Sequence, residues 1–234
     1  MRILIVLLLW ISSLSLTPKE YSQEKSTNKY VWDFNTLEQW KDDSQQTNGK
    51  KNYTLLDNGC LKLFTHPKTT ERSKIKSVQS FTTGTYTWKI FIPEIGKGDN
   101  TSIGAFLYFD DTHELDFEIG YGTKAIRKAM QFQSDELLVI MTSQGFPNCS
   151  KRVKIIRNQW YEFSLTLKKG LNNELLAVWK INQTPKFSTV LHYKKKISFP
   201  IYCSVENLSF MGDHMPNRMN YALFDYVKFE SNTK

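Results

Sequence analysis

The chain has 234 residues, with 31 basic against 23 acidic side chains, a formal net charge of +8, and 40% hydrophobic and 14% aromatic residues. That is enough apolar material for one domain with a sizeable core. The basic surplus suits an acidic surface or polymer, yet there is no zinc-finger spacing, basic helix or basic-aromatic motif, so nucleic acid is not an expected partner.

Met1-Arg2, the apolar run Ile3–Ile11 and the small residues Ser12, Ser13 and Ser15 form a charged region, an apolar region and a cleavage-type region. This pattern predicts a signal peptide over 1–16 and a secreted or exported protein, extracellular or periplasmic; the run is too short to favour a membrane span. An uncleaved anchor is the alternative. Residues 17–28 are polar and read as a flexible spacer. The domain is expected over 29–234, with no second hydrophobic stretch, heptad pattern or repeat, as a monomer without a stable membrane span.

Strands are predicted at Tyr30–Phe34, Cys60–Phe64, Thr85–Phe91, Ser102–Phe109, Glu136–Thr142, Tyr161–Leu167, Leu175–Ile181 and Asp225–Glu230. Turn residues separate them, as in Asp57-Asn58-Gly59, 96–100 and 169–173, and Lys194-Lys195-Lys196 reads as an exposed turn. Helix is scarce, with a turn or two expected at Thr36–Trp40 and Lys124–Ala129. Many short strands between turns imply an all-β antiparallel sandwich or jelly roll.

The stretch with chemical content is Glu114-Leu115-Asp116-Phe117-Glu118-Ile119. Its period of two places three carboxyls on one face of a strand and three apolar side chains on the other. An acidic solvated face is the plain interpretation, but like charges on one strand face repel one another. Glycoside hydrolysis uses such groups: one carboxylate as nucleophile, one carboxyl as proton donor, and a neighbour that tunes them. Residues i and i+4 stand ~13 Å apart along a strand, so the two Glu side chains must converge. Sugars stack on aromatic rings, which makes Trp88, Trp179, Tyr121 and Tyr108 candidate platforms.

The run Glu114-Leu115-Asp116-Phe117-Glu118 resembles the active-site signature of glycoside hydrolase family 16, the family of lichenases, laminarinases, agarases and carrageenases. Looser likenesses run along the domain, at Asp33–Trp40, Ser77–Lys89, Trp179–Asn182 and Asp225–Phe229. The resemblance implies a concanavalin A-like jelly roll and retaining cleavage of a β-linked polysaccharide, β-1,3- or β-1,3-1,4-glucan by default, with sulfated galactans left open by the basic surplus. It implies Glu114 as nucleophile, Glu118 as acid/base and Asp116 between them. Lys89 stands where the family ordinarily has Arg, Trp179 matches a family Trp, and Gln131 and Gln133 resemble a polar pair on the strand beside the acidic one. No cofactor is required; a structural calcium ion held by Asp225 and the carbonyl of Gly59 is implied. The alternative function is a lectin-like protein that binds sugar on the same scaffold without cutting it.

Zinc and Gly-x-Ser-x-Gly patterns are lacking. Cys60, Cys149 and Cys203 allow one disulfide of unassigned pairing, or three free thiols. Sequons stand at Asn52, Asn100, Asn148, Asn182 and Asn207.

Overall fold

A computed structural model describes residues 29–170, 174–193 and 196–232. The expected leader and spacer, part of the turn at 169–173, and Lys194 and Lys195 lie outside the described residues. The described chain folds into two antiparallel sheets. The first runs β13 (Thr184–Leu191), β12 (Leu175–Ile181), β11 (Gln159–Lys169), β6 (Gly84–Ile92), β15 (Asn220–Ser231), β4 (Leu61–Thr65) and β3 (Tyr53–Leu55), with β1 (Lys29–Trp32) also paired to β15. The second runs β10 (Cys149–Ile156), β9 (Glu136–Gly145), β8 (His113–Gly120), β7 (Thr101–Asp110), β14 (Phe199–Asn207), β5 (Arg72–Phe81) and β2 (Trp40–Asp42). No described helix is long and apolar enough to cross a membrane.

The sheets meet through the inward members of each period-two pattern. Leu115, Phe117 and Ile119 of β8 pack in one cluster with Trp88 and Ile90 of β6, Phe163 and Leu165 of β11, and Trp179 of β12. Burying large apolar side chains this way supplies about 1.5–3 kcal/mol for each, and it also fixes register. A slip of one residue in β8 would carry its three carboxyls into the core.

Every strand predicted from sequence is present. Six more exist among the described residues, including β14 and β5; in β5 the outward Arg72, Lys74 and Lys76 mask the alternation. The stretch Thr36–Trp40 makes a turn that leads into β2. Lys124–Ala129 is a short helix, α1, capped by Thr123, whose Oγ1 accepts from the Ile126 amide. The three cysteines are free thiols; Cys60 and Cys203 are buried, so the disulfide alternative is not found and two of the three behave as small core residues.

Candidate active site

On the outer face of the second sheet, register brings the acidic trio to the middle of a cleft. Glu114 lies between Tyr108 of β7 and Gln144 of β9, Asp116 between Phe106 and Thr142, and Glu118 between Gly104 and Ile140. On the β7, β14 and β5 side the three carboxyls line a pocket of about 240 Å³ with Arg72, Lys74, Tyr202, Ser204 and Glu206. On the β9 and β10 side they line an open groove of about 790 Å³ with Thr142, Gln144, Asn148, Ser150 and Phe210. A path therefore crosses the strands with the trio at its centre.

The carboxyls differ in their surroundings. Gln144 Nε2 donates to Glu114 Oε2 at 2.9 Å and reaches Asp116 Oδ2 at 3.5 Å. Burial raises Glu114 to about 8, helped by the nearby charges of Asp116 and Glu206 and opposed by Lys74 and Arg72. Burial likewise raises Asp116 to about 7, against hydrogen bonds from Thr142 and Gln144 that favour its charged form. Glu118 is pushed well above the carboxylate range by burial and then by Asp116, Glu206 and Glu114. All three are therefore raised, burial being the largest cause in each, and their mutual repulsion on one face favours keeping at least one proton among them near neutral pH. A protonated carboxyl beside ionisable ones on a single strand face is what acid/base work at neutral pH needs.

The other expected site residues are placed differently, and each has a physical reason. Trp88 and Trp179 are fully buried between the sheets. Trp88 Nε1 donates to the Tyr202 carbonyl at 3.0 Å, and Trp179 Nε1 to the Asp116 carbonyl at 2.9 Å. Neither has a face for a sugar; both pin strands of the second sheet from behind, Trp179 at the middle carboxyl itself. Lys89, on β6 opposite Glu162 and Tyr226, alternates with the inward Trp88 and Ile90, so it lies on the outer face of the first sheet, away from the cleft. Tyr121 packs on the core under the Arg127 guanidinium, 3.9 Å from its ring centre. Gln131 and Gln133 are exposed in the loop after α1 rather than on the neighbouring strand. Arg127 holds that loop through the carbonyls of Tyr121, Gln133 and Glu136, so β9 begins only at Glu136, and Thr142 and Gln144 take the places beside the trio.

The residues missed from sequence are Thr142, Gln144, Arg72, Lys74, Tyr202, Glu206 and Phe210. Pairing β8 with the alternation Ile140, Thr142, Gln144 would have found the first two. Phe210, half exposed at the groove on a 3-10 turn, and the Phe106–Tyr202 stack, with centroids 4.6 Å apart, are the aromatic surfaces that do border the cleft. Tyr108 also borders it, donating to Asp111 Oδ1 at 2.8 Å.

No family model and no curated sequence matches the chain. Solved structures do. The Crh5 transglycosylase in complex with NAG is 13% identical, over 88% of this chain and 84% of that one, at a TM-score of 0.63. The catalytic domain of an endo-1,3-beta-glucanase (laminarinase) from Thermotoga petrophila RKU-1 is 11% identical, over 88% and 97%, at 0.63. A glycoside hydrolase family 16 endo-glucanase from Bacteroides ovatus is 13% identical, over 86% and 99%, at 0.60. At such identities the likeness establishes the fold. This chain has the jelly roll on which those enzymes are built.

Proposed function

We propose that the protein is a glycoside hydrolase of family 16 type that cleaves a β-linked glucan with retention. The observation that carries this is the set of three carboxyls on one face of β8, in a cleft crossing the strands, with Gln144 bonded to Glu114. In this mechanism Glu118 protonates the glycosidic oxygen as Glu114 attacks the anomeric carbon. The C–O bond to the leaving sugar breaks as the bond from that carbon to Glu114 forms. Glu118, now ionised, takes a proton from water, whose oxygen displaces Glu114 and restores the starting configuration. Asp116 shares the trio's charge, and its carboxylate favours the proton on Glu118, the acid of this mechanism. The β-glucanase and laminarinase names of similarly folded proteins make β-1,3- or β-1,3-1,4-glucan the first substrates to try.

Export as a monomer belongs to this proposal, on the strength of the leader sequence and a polymeric substrate outside the cell. So does a structural calcium ion. Asp225 lies near Cys60, whose thiol it helps to raise after burial. Next to Cys60, Gly59 has φ +79°, and a Cβ built there would lie 3.7 Å from the Asp33 carbonyl oxygen. One carboxylate with main-chain oxygens is a hard donor set of the kind calcium takes. Asp225 with the carbonyls of Gly59 and Asp33 would hold the ion, which would brace the fold on the side remote from the chemistry.

The test is release of reducing ends from laminarin, mixed-linkage glucan, agar, carrageenan and chitin oligomers by wild type and by Glu114→Gln. Release from a β-glucan that falls at least about a thousandfold in the variant, as expected for loss of a nucleophile, supports the proposal. Binding of one polymer by both proteins, with no cleavage by either, would replace it with the lectin-like function.

A further inference from the structure

The β5 flank of the cleft contains a charge arrangement that the double displacement does not use. Register sets Lys74 opposite Ser204, Ser204 opposite Gly104, and Gly104 opposite Glu118, one row across four strands. The two middle members are small, and a Cβ at Gly104 would fall 2.3 Å from Ser204 Oγ. The floor is therefore low between Lys74 and Glu118, and all four line the same pocket.

At the far end of this row, Lys74 is 93% buried, its exposure being 7%. Its nearest carboxylate is Glu206, 3.9 Å away, beyond hydrogen-bond reach, and among the described residues Nζ makes no hydrogen bond. Arg72, by contrast, donates from Nε to Glu206 and from Nη1 to Gln45 Oε1 at 3.2 Å. An ammonium partly withdrawn from water without protein hydrogen bonds is unfavourable, and burial lowers the Lys74 pKa against the pull of Glu206. Its donors face a cavity, beside a carboxylate that can accept.

We propose that Lys74 and Glu206 form a sugar subsite that grips two neighbouring hydroxyls of an uncharged sugar residue. One hydroxyl oxygen accepts from Lys74 Nζ and the adjacent hydroxyl donates to Glu206. The subsite rests on the glycosidase function above and names the part of the cleft that selects substrate. Charge decides the class: the pocket is lined by Asp43, Asp111, Glu206 and the trio against Arg72 and Lys74, and Lys76 just outside is taken by Asp43 at 2.7 Å. A sulfated or uronic ring would meet more carboxylates than cations. The chain's basic surplus is not in this pocket, so it gives no reason here to keep sulfated galactans open.

Calorimetric titration with laminarihexaose, on Glu114→Gln protein alone and carrying Lys74→Met or Glu206→Gln, tests this without turnover. Lys74→Met leaves Glu206 with Arg72, and Lys74→Gln, checked for folding by its melting curve, stands in should the Met variant not fold. Each second change should weaken binding roughly ten- to hundredfold, the effect of one charged hydrogen bond, and a κ-carrageenan hexasaccharide should not bind. In the active background KM should rise more than kcat falls. Unchanged affinity in both Lys74 variants, while wild type still cuts laminarin, overturns the subsite alone. Tighter binding of the carrageenan oligomer than of laminarihexaose also overturns it. No binding and no cleavage of any glucan removes the glycosidase function together with it.

Discussion

Between the sheets, the indole N–H groups of Trp88 and Trp179 each end on a main-chain carbonyl of the second sheet. On the outer face of the same sheet, Asp116 and Lys74 are buried and Glu114 and Glu118 partly so, with charges that repel or only half meet. One face is satisfied and the other is held in an unfavourable arrangement by it. The inner face supplies the stability that lets the outer face crowd four partly or wholly buried ionisable groups together, the trade-off that active sites commonly make. Variants that loosen the inner face and variants that relieve the outer one should therefore shift stability in opposite directions.

The largest effect is expected at Trp179. Trp179→Ala should cost about 3–5 kcal/mol of stability by leaving a large void. Trp179→Phe keeps most of the packing and removes only the donor to the Asp116 carbonyl, and about 1–2 kcal/mol is expected for that bond. If the bond positions the trio, the Phe variant should also lower kcat on β-glucan by several-fold with KM little changed. Denaturant melts alongside steady-state kinetics separate the two, and a stability loss with unaltered kcat would leave Trp179 as packing only.

Relieving the outer face should do the reverse. Carboxyls raised in the folded state make the native protein bind more protons than the unfolded chain, so stability falls as pH rises from the unfolded values near 4 through the folded ones. For Glu114 at about 8 and Asp116 at about 7, that window runs from about pH 4 to pH 8, and Glu118 extends it upward. Glu118→Gln should abolish cleavage yet gain on the order of 2 kcal/mol at pH 8, a Tm rise of several degrees, with little gain at pH 4. Thermal melts of wild type and variant across that range check the sign; a variant less stable than wild type at pH 8 would mean that the trio is not under electrostatic strain.

The same contrast explains what could be read from sequence. β8 was legible because its two faces differ in kind: Leu115, Phe117 and Ile119 alternate with three acids, and the period of two shows at once. The cleft-lining strands β5 and β14 were not. In β5 the alternation is Arg72, Lys74 and Lys76 against Ser73 and Ile75, which resembles an exposed loop until pairing with β14 sets Glu206 against Arg72. Trp88 and Trp179 misled for a related reason. An indole's polar edge suits a wet cleft or a buried carbonyl equally well, and only knowing which sheet a strand joins decides between them. Gln131 and Gln133 failed through a boundary, since the Arg127 contacts that end the loop at Glu136 are tertiary.

The smallest effect concerns the side of the fold remote from the cleft, where neither face of the second sheet is involved. If calcium is held by Asp225 with the carbonyls of Gly59 and Asp33, its removal should loosen the segment around Gly59 without touching the trio. Chelation by EGTA should then lower the Tm by roughly 3–6 °C, the shift that ~1–2 kcal/mol produces in a chain of this size. In Asp225→Asn protein the Tm should start lower and no longer respond to EGTA or to added calcium, while KM and kcat at a temperature well below the melt stay within twofold of wild type. Insensitivity of the wild-type Tm to both additions would leave Asp225 as an acid at the irregular pairing of β15 with β6 between Phe224 and Tyr226. A loss of activity in Asp225→Asn at that temperature would instead couple the remote side to the cleft, against the division between the two that the fold implies.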